Sequence, residues 1–245
     1  VILFCLPAKN ILKGVRINFT SIRRTSRFIF SLLPNSIILG FTNICDKLII
    51  ASISLTILGS FNFLLAVIMP YILIVQVLHK ATLPLIVNHY RKNQIDQINI
   101  INLSIILIFS AFIFLTLPVY IYLLKIIVGI NYIDNLKLVY LFAFVPLFQN
   151  FYFSFARVLT FTEKVYYLSF INIPISLLYI STIMLFVNTL EVFILSYVLL
   201  ELAKTILVVI TSNKIIKHNL FSKDNFKAAL NRFKNFKNLK LKFAY

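Results

Sequence analysis

Charge is what this sequence has least of. Asp, Glu, Lys and Arg together make up 13% of its 245 residues, whereas 60% are hydrophobic and the mean hydropathy is +0.95. A soluble domain is roughly 45–50% apolar and about 25% charged, so a soluble enzyme is excluded first. Disorder is excluded with it, because a chain this apolar has every reason to order. Glycine is almost as scarce, at four residues. That leaves no Gly-rich phosphate loop and no flexible linker dividing the chain into domains. The two cysteines, Cys5 and Cys45, stand alone with no CxxC spacing, which implies neither a disulfide framework nor a metal site. Tryptophan is absent, so interfacial anchoring falls to Tyr90, Tyr120, Tyr122, Tyr132, Tyr140, Tyr166 and Tyr167, all near the ends of apolar runs.

Long apolar runs are what the sequence has instead. A helix needs about 20 apolar residues to cross a hydrocarbon core of about 30 Å. Six runs qualify, near Phe28–Ile50, Thr56–His79, Ile100–Leu124, Leu138–Thr160, Tyr166–Val187 and Glu191–Thr211. They are apolar at consecutive positions rather than alternately, which excludes a membrane barrel. The expected fold class is all-α, a polytopic membrane protein of six transmembrane helices. The first division is marked only by Asp46, Lys47 and Gly59, and the second helix has apolar residues to continue past Lys80 to Val87.

The net charge of +17 follows the same map. With the stretch before Phe28 on the cytoplasmic side, all of the 24 Lys and Arg except Lys47, Lys125 and Lys137 fall on that side. Both ends are therefore expected in the cytoplasm. Residues 1–27 read as the end of a preceding helix and a basic connection, 28–211 as the six-helix lobe, and 212–245 as a basic tail. Val1–Pro7 is apolar and precedes its basic residues, the reverse of a signal peptide, and the chain is expected to be a fragment. In the tail, Phe226, Ala229, Leu230, Phe233 and Phe236 recur at helical spacing among basic residues, a pattern that suits a helix lying on anionic inner-leaflet lipids and also a frayed, solvated basic segment. No basic face with stacking aromatics sits on a nucleic-acid-binding module, so nucleic acid is not an expected partner.

Chemistry has few residues to work with. His79, His89 and His218 have no nucleophile or ligand at a useful spacing and read as interfacial or tail residues. The protein is not expected to be an enzyme or to carry a cofactor. What stands out is ionisable groups within spans, which are costly there and are usually paired or face a cavity. Glu201 lies near the middle of the last span with Lys204 three residues on, on the same helix face. Asp46 and Lys47 point about 100° apart on a helix and also suit an interface pair where the first helix stops. Arg157, a fixed cation late in the fourth span, suits either a bidentate phosphate contact or the membrane border. Pro34, Pro70, Pro118, Pro146 and Pro174 share helices with Asn35, Gln76, Gln149, Asn150 and Asn172. Kinked helices with interior amides suit a rocking transporter, and each amide also suits plain helix packing.

The order of features adds a resemblance. A basic connection leads into Phe28-Ile-Phe-Ser-Leu-Leu-Pro34-Asn35-Ser36, then Asn43-Ile-Cys-Asp46-Lys47, then Leu58-Gly59 with an aromatic soon after, and Ala81-Thr-Leu-Pro84. A last span with Ser196 and Glu201 precedes the basic tail. This resembles the second half of polysaccharide flippases of the Wzx type, in the superfamily that includes multidrug and toxic-compound extruders. The resemblance runs from Val1 to Thr211 and implies one lobe, the carboxyl-terminal one, of a two-lobed transporter. It implies movement of an undecaprenyl-diphosphate-linked glycan across the bacterial plasma membrane by ion-coupled alternating access. A polysaccharide polymerase and chain-length regulator are implied as partners. Under that reading Arg157, Lys204 and Lys47 are candidates for the anionic headgroup, and Glu201 and Asp46 for ion coupling. A multidrug or cation exporter of the same superfamily, or a membrane glycosyltransferase or polymerase of the same pathway, are the alternatives. The exporter would show an acidic cavity with few fixed cations.

Overall fold

The computed structural model describes residues 19–92, 94–127, 135–216 and 227–229. Among the described residues seven helices are defined in chain order: α1 (Phe19–Ile53), α2 (Leu55–Arg91), α3 (Ile95–Ile127), α4 (Leu136–Phe142), α5 (Phe144–Phe161), α6 (Tyr166–Phe186) and α7 (Leu190–Ile216). With α4 and α5 forming one span, 6 helical segments are long and apolar enough to cross a membrane. The chain is an all-α polytopic membrane protein. Most of the basic tail lies outside the described residues, as do residues 1–18. Within the tail, Ala229 is buried against Ile100 and Leu103 at the start of α3.

The helices outrun the apolar stretches that identify them. α2 has 37 residues and continues through Pro84 to Arg91, well past His79. α1 does not stop at Asp46 and Lys47 but continues to Ile53. Neither charge breaks a helix by itself, and the turn is made one step later by Ser54. Its backbone is extended at φ −165 and ψ 131, and its side chain accepts a hydrogen bond from the Thr56 amide at 3.2 Å. Ser54 is therefore the N-cap of α2. The fourth span breaks at Ala143, three residues before Pro146. That proline has no amide to give the Phe142 carbonyl, and its ring crowds the same carbonyl, so the helix restarts instead.

Among the described residues apolar contacts form two main clusters besides the small one around Ala229. The larger joins Ile50 of α1, Phe61–Val75 on α2, Phe109–Ile121 on α3, α4, Tyr179–Val187 and Phe193–Leu200. Phe61 meets Phe193 edge to face at 4.9 Å within it. The smaller joins Ile106, Phe155, Leu159, Leu168, Ile171 and Val208 at the other end of the bundle. Between the two, helix by helix, the sequence turns polar. Buried polar side chains there are Asn35 and Thr42 on α1, His79 on α2, Asn150 and Ser154 on α5, Asn172 and Ser176 on α6, and Glu201, Lys204 and Thr205 on α7. The ionic groups and most of the buried amides fall in this middle layer, with Asn99, Asn102, Ser169 and Ser212 buried nearer the smaller cluster.

Outside this layer the surface is oily. Phe30, Phe114, Leu115, Phe170 and Leu185 are fully open on the outer faces. Hydroxyls within the spans turn inward on their own helices, as Thr42 does to the Ile38 carbonyl at 2.8 Å and Ser196 to Val192 at 2.8 Å. In hydrocarbon no water is present to satisfy them, so the helix backbone does. Removing the hydroxyl of Ser54 tests the assigned turn: Ser54→Ala is expected to lower stability by about 1 kcal/mol, read as a fall in the thermal unfolding midpoint in detergent.

Candidate functional site

The polar layer encloses a cavity of about 340 Å³, within the range of small-molecule sites. Four helices wall it. Carboxamides enter from three of them, Asn43 on α1, Gln76 on α2 and Gln149 on α5. Aromatic side chains Tyr152 and Phe153 of α5 and Tyr197 of α7 supply flat apolar faces. Glu201 and Lys204 of α7 supply the ionic groups. The combination offers hydrogen-bond donors and acceptors, ring faces and one charge of each sign, which suits a polar organic molecule.

Helical spacing sets the ion pair. Lys204 lies three residues after Glu201, and its Nζ donates to Glu201 Oε1 at 3.2 Å, with both residues buried. The desolvation cost of each charge is offset chiefly by the other. One turn on, Thr205 bonds both the Glu201 and Phe148 carbonyls, at 2.8 and 3.0 Å, fastening α7 to α5. Asp46 is buried as well, at 3% exposure. It sits one turn beyond Thr42, with Tyr179, Lys204 and Glu201 as its electrostatic neighbours. Lys204 thus pairs with Glu201 and acts on Asp46 from a greater distance.

Asp46 also heads a polar seam between α1 and α6. Asn172 donates to Asn35 Oδ1 and to the Tyr152 hydroxyl, both at 2.6 Å, and Ser169 donates to the Ser31 carbonyl at 3.1 Å. Further along, buried oxygens of Asn172, Ser176, Tyr179 and Asp46 have no well-formed hydrogen bond. Asn172, Ser176 and Tyr179 fall on one face of α6 because they are four and three residues apart.

The other sequence candidates are placed differently. Lys47 is exposed, one turn beyond Asn43, and does not line the cavity. Arg157 does not line it either. Its guanidinium and Nε donate to the Phe153 carbonyl at 3.3 Å, the His79 carbonyl at 3.1 Å, Thr82 Oγ1 at 3.1 Å and His79 Nδ1, tying α5 to α2. His79 was expected at an interface and is instead buried, bonded through Nε2 to Asn150 Oδ1 at 2.9 Å. The structure therefore brings Glu201, Lys204 and Asp46 together, sets Arg157 beside the cavity wall and leaves Lys47 outside. Sequence reasoning passed over Tyr152, Tyr179 and Tyr197. The available signal was spacing: Tyr197 is one turn before Glu201, and Tyr152 is three residues after Gln149. Among the described residues no group of three or more His, Cys, Asp or Glu side chains is placed to hold a metal ion.

No family model matches the chain, and no curated protein or solved structure matches it.

The ion pair makes a measurable claim on stability. Lys204→Met is expected to destabilise the protein by about 3 kcal/mol, because it strands a buried carboxylate, and adding Glu201→Leu in the double variant should restore most of that loss. Thermal unfolding of the single and double variants in detergent reads both effects.

Proposed function

We propose that this chain is one lobe of a transporter that moves a lipid-linked glycan across a bacterial plasma membrane, with both ends in the cytoplasm. The observation that carries the reading is the polar cavity in the middle of an apolar bundle, lined by amides, aromatic rings and the Glu201–Lys204 pair. Amides and a paired carboxylate and ammonium hydrogen-bond sugar hydroxyls, and aromatic faces stack on the apolar faces of sugar rings. The lipid portion of such a substrate needs no protein site, since the bilayer holds it.

Two features support the rest of the reading. The α1 segment Ile29–Ile53 is the least enclosed of the spans, with 17% of its apolar window buried. Ser36, Gly40, Asn43 and Lys47 form an exposed polar stripe along it at spacings of four, three and four residues. Hydrocarbon is a poor solvent for such a stripe, and a second lobe covering α1 would close the cavity and complete its wall. The second feature is the α1–α6 seam. Asp46 and Tyr179 interact there, and with Ser176 they gather buried oxygens of the kind suited to a coupling proton or monovalent cation.

A second reading is favoured by one observation. The cavity region holds Glu201 and Asp46 against Lys204 alone, since Arg157 is engaged with α2. That balance suits a cationic substrate, as in an exporter of the same superfamily.

Surface-glycan export separates the two. In a bacterium lacking its own flippase, the chain joined to an amino-terminal lobe is expected to restore surface polysaccharide, and Lys204→Gln, at equal membrane abundance, to reduce it at least about tenfold, the loss of about 1.4 kcal/mol of binding. Lys47→Gln should leave export near the wild-type level. Resistance to cationic dyes without glycan export would instead establish the exporter reading.

A further inference from the structure

The cluster at the cavity wall has a logic that the ion pair lacks. Arg157 is bonded only to uncharged groups in each of its hydrogen bonds: two backbone carbonyls, the Thr82 hydroxyl and the His79 ring. Arginine has donors and no acceptor, so His79 Nδ1 must be the acceptor in its bond to Arg157. The single ring proton then lies on Nε2 and is donated to Asn150 Oδ1. His79 is therefore neutral and of one tautomer whenever it holds Arg157.

A second proton on the ring has one place to go, Nδ1, and that place is taken by a guanidinium N–H. Protonation of His79 and its contact with Arg157 exclude one another. Among the described residues Arg157 is the charged group that acts on the ring. The other neighbours of His79 on α5 are uncharged, Asn150 and Phe153, whose ring centroid is 5.6 Å away. On its own helix Thr82 shares Arg157, and Lys80 is exposed. On α7, Glu201 and Lys204 are paired with each other, while Asp46 on α1 interacts with that pair. On α3 the titratable neighbour of α2 is Tyr120, which meets Tyr71 two turns away from His79.

Released from α2, the guanidinium has the cavity within reach. Phe153, which lines the cavity, is one turn before Arg157, and helical side chains lean toward the helix N-terminus. We propose that Arg157 and His79 form a proton-gated anion site, in which a neutral His79 stows the guanidinium against α2 and a protonated His79 frees it to bind an anionic headgroup such as a diphosphate. The inference rests on the transporter reading above and deepens it. The proton is taken from solution onto Nδ1 and no bond other than hydrogen bonds is made or broken. The bound anion offsets the repulsion between the two cations, so proton and anion each favour the other's binding by the same factor.

Sulfate is the suitable probe, because it stays a dianion from neutral pH down to about pH 4, a range that extends well below the ordinary histidine value of about 6.5. Binding of labelled sulfate is measured to the full chain in nanodiscs of zwitterionic lipid. The wild type is expected to bind about tenfold or more tightly at the acid end of that range, within the usual coupling of about 5- to 150-fold. His79→Phe removes both the acceptor and the site for a proton while leaving the carbonyl of position 79 and Thr82 in place, so its binding should not vary with pH. His79→Gln keeps an acceptor without a site for a proton and should bind weakly throughout, which retains the test if the Phe variant does not fold. Arg157→Gln should bind weakly at every pH. Wild-type binding that is flat with pH but weakened by Arg157→Gln overturns the gate and keeps the anion site. Equal binding by wild type and Arg157→Gln overturns both, while glycan export decides the transporter reading separately.

Discussion

A polar layer held between two apolar clusters is the constraint on which the rest of this structure depends. In lipid no water is present to repay an exposed or unpaired polar group, so the layer must satisfy itself from within. The Glu201–Lys204 pair shows the consequence. Apolar residues of similar volume would serve the bundle's stability as well or better than a buried ion pair. Its presence in the wall of a cavity, with Asp46 beside it, is therefore better explained by what the cavity does than by what the bundle needs.

The layer also accounts for how the helices are joined. Asn172 ties α6 to α1 and α5, Thr205 ties α7 to α5, and Arg157 with His79 ties α2 to α5. Each is a hydrogen-bonded contact of the kind that contributes about 0.6 kcal/mol on average between membrane helices. Ties of that size hold a packing without freezing it.

Much of this was written in the sequence, and what was not has physical reasons. Composition and run length fix six apolar helices because lipid imposes one solution on an apolar chain. The Glu201–Lys204 pair was legible because both partners are on one helix, where spacing alone sets their distance. Helix ends were less legible. Asp46 and Lys47 look like a boundary on a hydropathy scale, but the turn is made by the backbone of Ser54, which hydropathy does not register. His79 was misplaced for a related reason: its span ends near Lys80 by hydropathy, while the α2 helix continues for three further turns and keeps the imidazole inside. Its partners, Asn150 and Arg157, are more than 70 positions away, and no local pattern announces a pairing at that distance.

The unpartnered oxygens of the seam finish the physical account. A buried acceptor without a donor costs about 1–3 kcal/mol, and Asn172, Ser176, Tyr179 and Asp46 place several along one short stretch between α1 and α6. Part of that cost is met inside the seam, where the Tyr179 hydroxyl can donate to Asp46. Asn99, Asn102 and Asn150 carry similar unsatisfied atoms elsewhere in the bundle, so the cost is spread through its polar interior. The seam runs beside the same cavity that Arg157 borders from the opposite helix pair. On the proposed reading, a cation in the seam would alter the charge around Asp46, Lys204 and Glu201, a proton on His79 would alter the position of Arg157, and a substrate in the cavity between them would sense both.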